Sequence, residues 1–216
     1  MGSNPYKMQK EIYIIRHGET DYNRMGIVQG QGVDTSLNEL GRRQARAFYE
    51  QYKDIGFEAV LTSRLRRTHE TVHHFLELGL PWEQFADINE IAWGSHEGKK
   101  STPAMMEQYR EITDEWKRGN FHASLDGAES AASLAARISR FIEHLRERPE
   151  NTLLVCSHGR AMRCLMCLLQ EQPLQNMDNY QHSNTGLYQV KLKGDTFHFL
   201  MENDLSHLET AGLKIA

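Results

Sequence analysis

Two histidines of this 216-residue chain stand in the same setting, each directly after a short apolar run. Ile12–Ile15 leads into Arg16-His17-Gly18-Glu19, and Leu153–Cys156 leads into Ser157-His158-Gly159. A third run, Ala59–Thr62, leads into Ser63 and a helical pattern whose start carries Arg64, Arg66 and Arg67. These residue types suit phosphoryl chemistry. A neutral imidazole attacks phosphorus without first losing a proton and leaves a phosphoramidate that water can cleave. Guanidinium forks match phosphoryl oxygens, and a helix start adds backbone N–H donors. The leaving alcohol needs a proton, so a carboxylic acid should stand nearby; Glu19, Glu90 and Glu97 are the candidates. At helical spacing only one or two of the three arginines can face the same way as His17.

Positioning these groups requires short buried strands, and ligands of open parallel sheets bind just beyond the strands' carboxyl ends. If the three runs are parallel neighbours, His17, the helix start bearing Arg67, and His158 surround one hollow. Residues 21–36 contain Gly26, Gly30 and Gly32 without an apolar period and read as an extended loop. Ser36 with Glu39 has the capping-box pattern for a helix near 37–53, and Asp126 with Glu129 resembles the start of the helix carrying Leu134, Ile138, Phe141, Ile142 and Leu145. Thr102–Arg118 reads as a helix with Met105, Tyr109, Ile112 and Trp116 on one stripe, which is either core or a roof over the pocket. Residues 160–170 read as a helix, and Leu187–Leu192 with Thr196–Met201 as a hairpin about Gly194-Asp195. The order predicts a three-layer α/β/α sandwich with a mostly parallel central sheet, a single domain over residues 1–216, and mixed strands at one edge.

A net charge of −4 provides no electrostatic footprint for nucleic acid or anionic membrane, so an anion site must be built locally. No apolar run is long enough to span a bilayer, and the three cysteines, Cys156, Cys164 and Cys167, lack framework spacing, which fits a reducing cytoplasm. Met1–Ser3 read as a cloning scar.

RHGET at 16–20 with Asn23, Gln29-Gly30, Asp34 and LNELGRRQA, then TSRLRRTHET, GAES at 127–130, SHG at 157–159 and NTGL from 184 resemble, in order, the histidine phosphatase superfamily in its phosphoglycerate-mutase-like branch, branch 1. The resemblance implies that His17 is the phosphorylated nucleophile, that Arg16, Arg67 and His158, with Gly159 beside it, bind the phosphoryl group, and that Glu90 is the general acid and then base. It places Asn23, Gln29 and Gly30 against phosphate or substrate. Arg64 and Thr68 depart from the family's usual Pro and Ala without removing a functional group.

The implied activity is hydrolysis of a small phosphorylated metabolite, without metal or cofactor; a homodimer stays open, as does a mobile lid over residues 99–125. A cofactor-dependent phosphoglycerate mutase is the alternative, disfavoured because the stretch from Gly98 to Gly127 is short and resembles one helix. His69-Glu70-Thr71-Val72-His73 fits the zinc-protease HExxH pattern, but the same helix already carries Arg67 and Thr71 of the phosphatase pattern. His73, His74, His96, His144 and His182 read as surface or loop residues.

Overall fold

The computed structural model describes residues 9–213; Met1–Ser3 lie outside them. In chain order the elements are β1 (Gln9–Arg16), α1 (Asp21–Met25), α2 (Glu39–Tyr52), β2 (Ala59–Thr62), α3 (Arg66–Leu76), β3 (Trp82–Gln84), α4 (Pro103–Lys117), α5 (Ala131–Glu147), β4 (Thr152–Ser157), α6 (Gly159–Leu169), β5 (Leu187–Lys193), β6 (Thr196–Asp204) and α7 (Ser206–Thr210). They build one six-stranded sheet in the order β3-β2-β4-β1-β5-β6. The first four of these strands are mutually parallel, and β5 and β6 are antiparallel additions at the edge next to β1.

Alternation along β1 creates the three layers. Ile12 and Ile14 face a core with Leu134, Ile138 and Phe141 of α5 and Leu165 of α6. Tyr13 and Ile15 face the opposite core with Phe48 of α2 and Val72 and Phe75 of α3. Because helices cover both faces, the central strands are apolar on both sides, which is why they read as continuous runs. Register matters for the site: Arg16 lies opposite Ser157, and Ile15 opposite Cys156, while Thr62 is also opposite Cys156. The three runs therefore end level with one another.

Three local expectations need correction, and one strand is added to them. Residues 21–25 form α1 within the expected loop; Thr20 caps it, accepting from the Asn23 amide at 3.1 Å while the Asn23 side chain accepts from Thr20 N–H. None of its residues is buried, so it carries no apolar period. The cap of α2 is Asn38, not Ser36, with its side chain accepting from Gly41 N–H at 2.9 Å. The cap of α5 is Ser130, which leaves Glu129 free to bind elsewhere. Strand β3 went unforeseen because all three of its residues are exposed.

Candidate active site

β1 delivers Arg16 and His17, and two close backbone approaches hold the turn that follows. A Cβ on Gly18 would stand 2.7 Å from Gly41 O, and a Cβ on Gly41 would stand 2.1 Å from Glu19 O. The start of α2 thus presses on the residues just after His17, and Glu19 is absorbed into this contact: its N–H donates to Gln44 and its carboxylate accepts from Asn38. Gly18 N–H donates to Thr71 Oγ1 at 2.9 Å. From the other side, Asn184 Nδ2 donates to His17 O at 2.8 Å, and Thr185 N–H donates to Arg16 O.

The His17 ring is buried, and its Nδ1 donates to Gly18 O at 2.8 Å, since a carbonyl can only accept. Nε2 is therefore the nitrogen with the free lone pair. Burial, reinforced by the Arg67 and Arg16 guanidinium groups, holds its pKa well below the ordinary histidine value. The His17 and His158 rings lie 5.2 Å apart, centre to centre. Burial, with Arg67 the largest electrostatic contribution, likewise keeps His158 neutral.

Arg67 is buried and turned inward while Arg64 and Arg66 are exposed, so the charge run divides as helical spacing requires. Its guanidinium donates to His158 Nδ1 at 3.1 Å and to Val33 O at 2.7 Å, with a longer contact to Gly30 O. Arg16 donates to His182 O at 2.9 Å, while its Nε is buried without a protein partner. Glu90 stands at the start of α6, where its carboxylate accepts from Arg160 N–H and Ala161 N–H, both at 3.1 Å. Gly159 is closely approached: a Cβ there would lie 3.1 Å from His182 Cε1, so the His182 ring would have to shift, and 3.5 Å from a Glu90 oxygen.

The loop residues divide. Gln29 lines the pocket and bridges Thr20 and Thr35. Gly30 passes so close to Glu97 that a Cβ would overlap its carboxylate at 1.8 Å, and Glu97 ties this loop to the backbone at Gly32 and Trp93. Asn23 spends its side-chain oxygen on Thr20.

Several site residues escaped sequence reasoning. His182 is a loop residue, as read, but it lines the pocket against Arg16 and Gly159; burial and Arg16 push its pKa down to about 3. His96 is also buried, and its ring pairs with Gln108. Neither had a local signal, because His96 sits in a single 3-10 turn and His182 in a loop, too short or too irregular for an apolar period. Arg137 grips Glu129 through two bonds of 2.7 and 2.9 Å and donates to Asp87 O and Asn89 O, bracing the segment that carries Glu90. The HExxH residues disperse: His69 contacts Ser63 O, Glu70 accepts from Leu37 N–H, and exposed His73 pairs with Glu77. Among the described residues, no set of three or more His, Cys, Asp or Glu side chains is arranged to hold a metal ion.

The carboxyl ends of the parallel strands thus bring two neutral histidines, two arginines and a carboxylate into one site of an α/β protein. Residues 12–205 match the histidine phosphatase superfamily (branch 1), and the chain belongs to that family. It is 30% identical over 161 residues to phosphoserine phosphatase 1 of Hydrogenobacter thermophilus, covering 74% of this chain and 75% of the relative. It is 26% identical over 214 residues to the GpmB protein of Shigella dysenteriae, which carries a phosphoglycerate mutase name, covering 94% and 97%. The solved α-ribazole phosphatase from Shigella flexneri superposes with a TM-score of 0.80 at 25% identity, covering 90% of this chain and 96% of that one.

Proposed function

We propose that this chain hydrolyses phosphate monoesters of small metabolites through a phosphohistidine on Nε2 of His17. The observation that carries the reading is the 2.8 Å bond from His17 Nδ1–H to Gly18 O, which leaves the lone pair on Nε2 and holds the ring in place. Arg16 and Arg67 would hold the phosphoryl oxygens, with His158 fixing the Arg67 fork. Nε2 attacks phosphorus as the ester P–O bond breaks, and Glu90 passes a proton to the departing oxygen. Glu90 then takes a proton from water, whose oxygen attacks phosphorus as the P–N bond breaks. Inorganic phosphate leaves, and His17 returns neutral. Gln29 would face the substrate from the pocket wall, while Asn23 and Gly30 shape the loop behind it.

Hydrolysis is favoured over mutation because the stretch after Gly98 holds one helix, α4, with no further element to shield a phosphohistidine from water. Acid-sensitive, base-stable labelling of the wild type by a radiolabelled phosphomonoester, absent in His17→Ala, together with phosphate release, tests the reading. Equal turnover by His17→Ala would refute it, and interconversion of phosphoglycerates without phosphate release would replace it with the mutase.

A further inference from the structure

A pocket of about 480 Å³, within the range of small-molecule sites, adjoins the proposed phosphoryl site, with Arg16, Glu90 and Gly159 on the shared side. Its far walls are Val28, Trp93, Met105, Met106 and Tyr109. Met106 is 57% exposed and Tyr109 38%, so the chain displays apolar surface beside a buried cation. Trp93 and Tyr109 meet with ring centres 5.2 Å apart. The methionine and aromatic stripe of α4 thus divides: Trp116 is core, whereas Met105, Met106 and Tyr109 line the pocket.

The other lining arginines already have partners. Arg160 pairs with Asp178, donates to Tyr109 Oη, and lies over the Tyr109 and Trp116 rings at 5.6 Å. Arg110 pairs with Glu107 at 2.6 Å. A carboxylate or second phosphate on the alcohol would have to displace the buried Arg160–Asp178 pair or stand against the apolar wall unpaired, both costly, while Arg110, exposed at the rim, offers only a solvent-screened contact. An uncharged ring would instead cover the displayed apolar surface.

We propose that this site selects phosphomonoesters whose alcohol is uncharged and carries a flat apolar body seated against Trp93, Tyr109, Met105 and Met106, and rejects esters with a second anionic group. The inference rests on the hydrolytic reading above. It is tested by kcat/KM for 2-phenylethyl phosphate, O-phosphoserine and 3-phosphoglycerate, all esters of aliphatic alcohols, so that differences report the pocket more than the leaving group. The phenylethyl ester should lead by at least about tenfold. Met106→Glu, on the surface, should cut that lead severalfold, and Asp178→Asn, by removing the countercharge of Arg160, should raise kcat/KM for phosphoserine through KM. Equal or reversed preference overturns the inference but leaves hydrolysis standing; no hydrolysis of any ester overturns both.

Discussion

Arg67 Nε donates to His158 Nδ1 at 3.1 Å, and this bond sets the tautomer of His158. The guanidinium has no acceptor, so Nδ1 is unprotonated and Nε2–H points at Ser63 Oγ, 2.8 Å away. Thr68 Oγ1 donates to Leu65 O at 2.7 Å and can therefore accept from Ser63 Oγ at 3.0 Å. Thr68 closes this relay, and both nitrogens of His158 are engaged by protein groups. Ser63→Ala strands a buried N–H, so it should cost about 1–3 kcal/mol of stability. By loosening Arg67 it should also raise KM more than it lowers kcat. Unchanged urea unfolding and unchanged KM would show that the relay holds nothing.

Gly41 is tested by a single methyl group. Its added Cβ would meet backbone at Glu19, which cannot swing aside as a flexible side chain would. Gly41→Ala should therefore cost about 1–3 kcal/mol and move the Gly18-Glu19 turn that supports the His17 ring. Thermal unfolding measures the first effect, and the yield of trapped phosphohistidine the second. Full labelling with wild-type stability would mean that α2 relaxes away freely.

Arg137 links the acidic segment to α5. It is 9% exposed, and its loss would orphan Glu129 together with two carbonyls on either side of Ile88. Breaking a buried pair by removing one partner costs about 3–5 kcal/mol, so Arg137→Met should destabilise on that scale. Because the carbonyls belong to the segment ending in Glu90, kcat should fall further than KM changes. Glu129→Gln keeps the shape and a carbonyl acceptor for the guanidinium, and should restore much of kcat relative to Arg137→Met. Equal kcat losses in the two variants would argue against a positioning role.

What could be read in sequence follows from where the signals reside. The strands bearing His17, Arg67 and His158 at their ends were legible because burial on both faces writes unbroken apolar runs, and the polarity switch marks their ends. α1 and β3 were not, since neither buries a residue. The caps of α2 and α5 slipped because Ser36 and Asp126 offer the same local chemistry as Asn38 and Ser130, and only tertiary packing chooses between them. His182 and Arg137 act across distances in sequence that no local pattern spans: one meets Arg16, the other the backbone at Asp87 and Asn89.

Stability should depend on pH through buried neutral histidines, His207 above all. Its ring is 1% exposed, lies against Phe48 and Tyr52, shares a hydrogen bond with Thr185 Oγ1 at 2.9 Å, and leaves Nδ1 without a partner. Burial pushes its pKa down to about 4. The unfolded chain binds a proton near the ordinary value of about 6.5, so between those values it holds more protons than the native state, and stability rises with pH. The contribution is complete above about pH 6.5, falls as pH drops, and is lost below about 4, amounting to about 3 kcal/mol in all and about 2 kcal/mol between pH 7 and 5. His17, His158 and His182, all shifted down, add to the same slope. Urea unfolding at pH 7 and pH 5 should show the native state weakening in acid, and His207→Gln, which cannot titrate, should lose less over that interval by about 2 kcal/mol. Parallel pH profiles for wild type and variant would mean that His207 binds its proton equally well folded and unfolded.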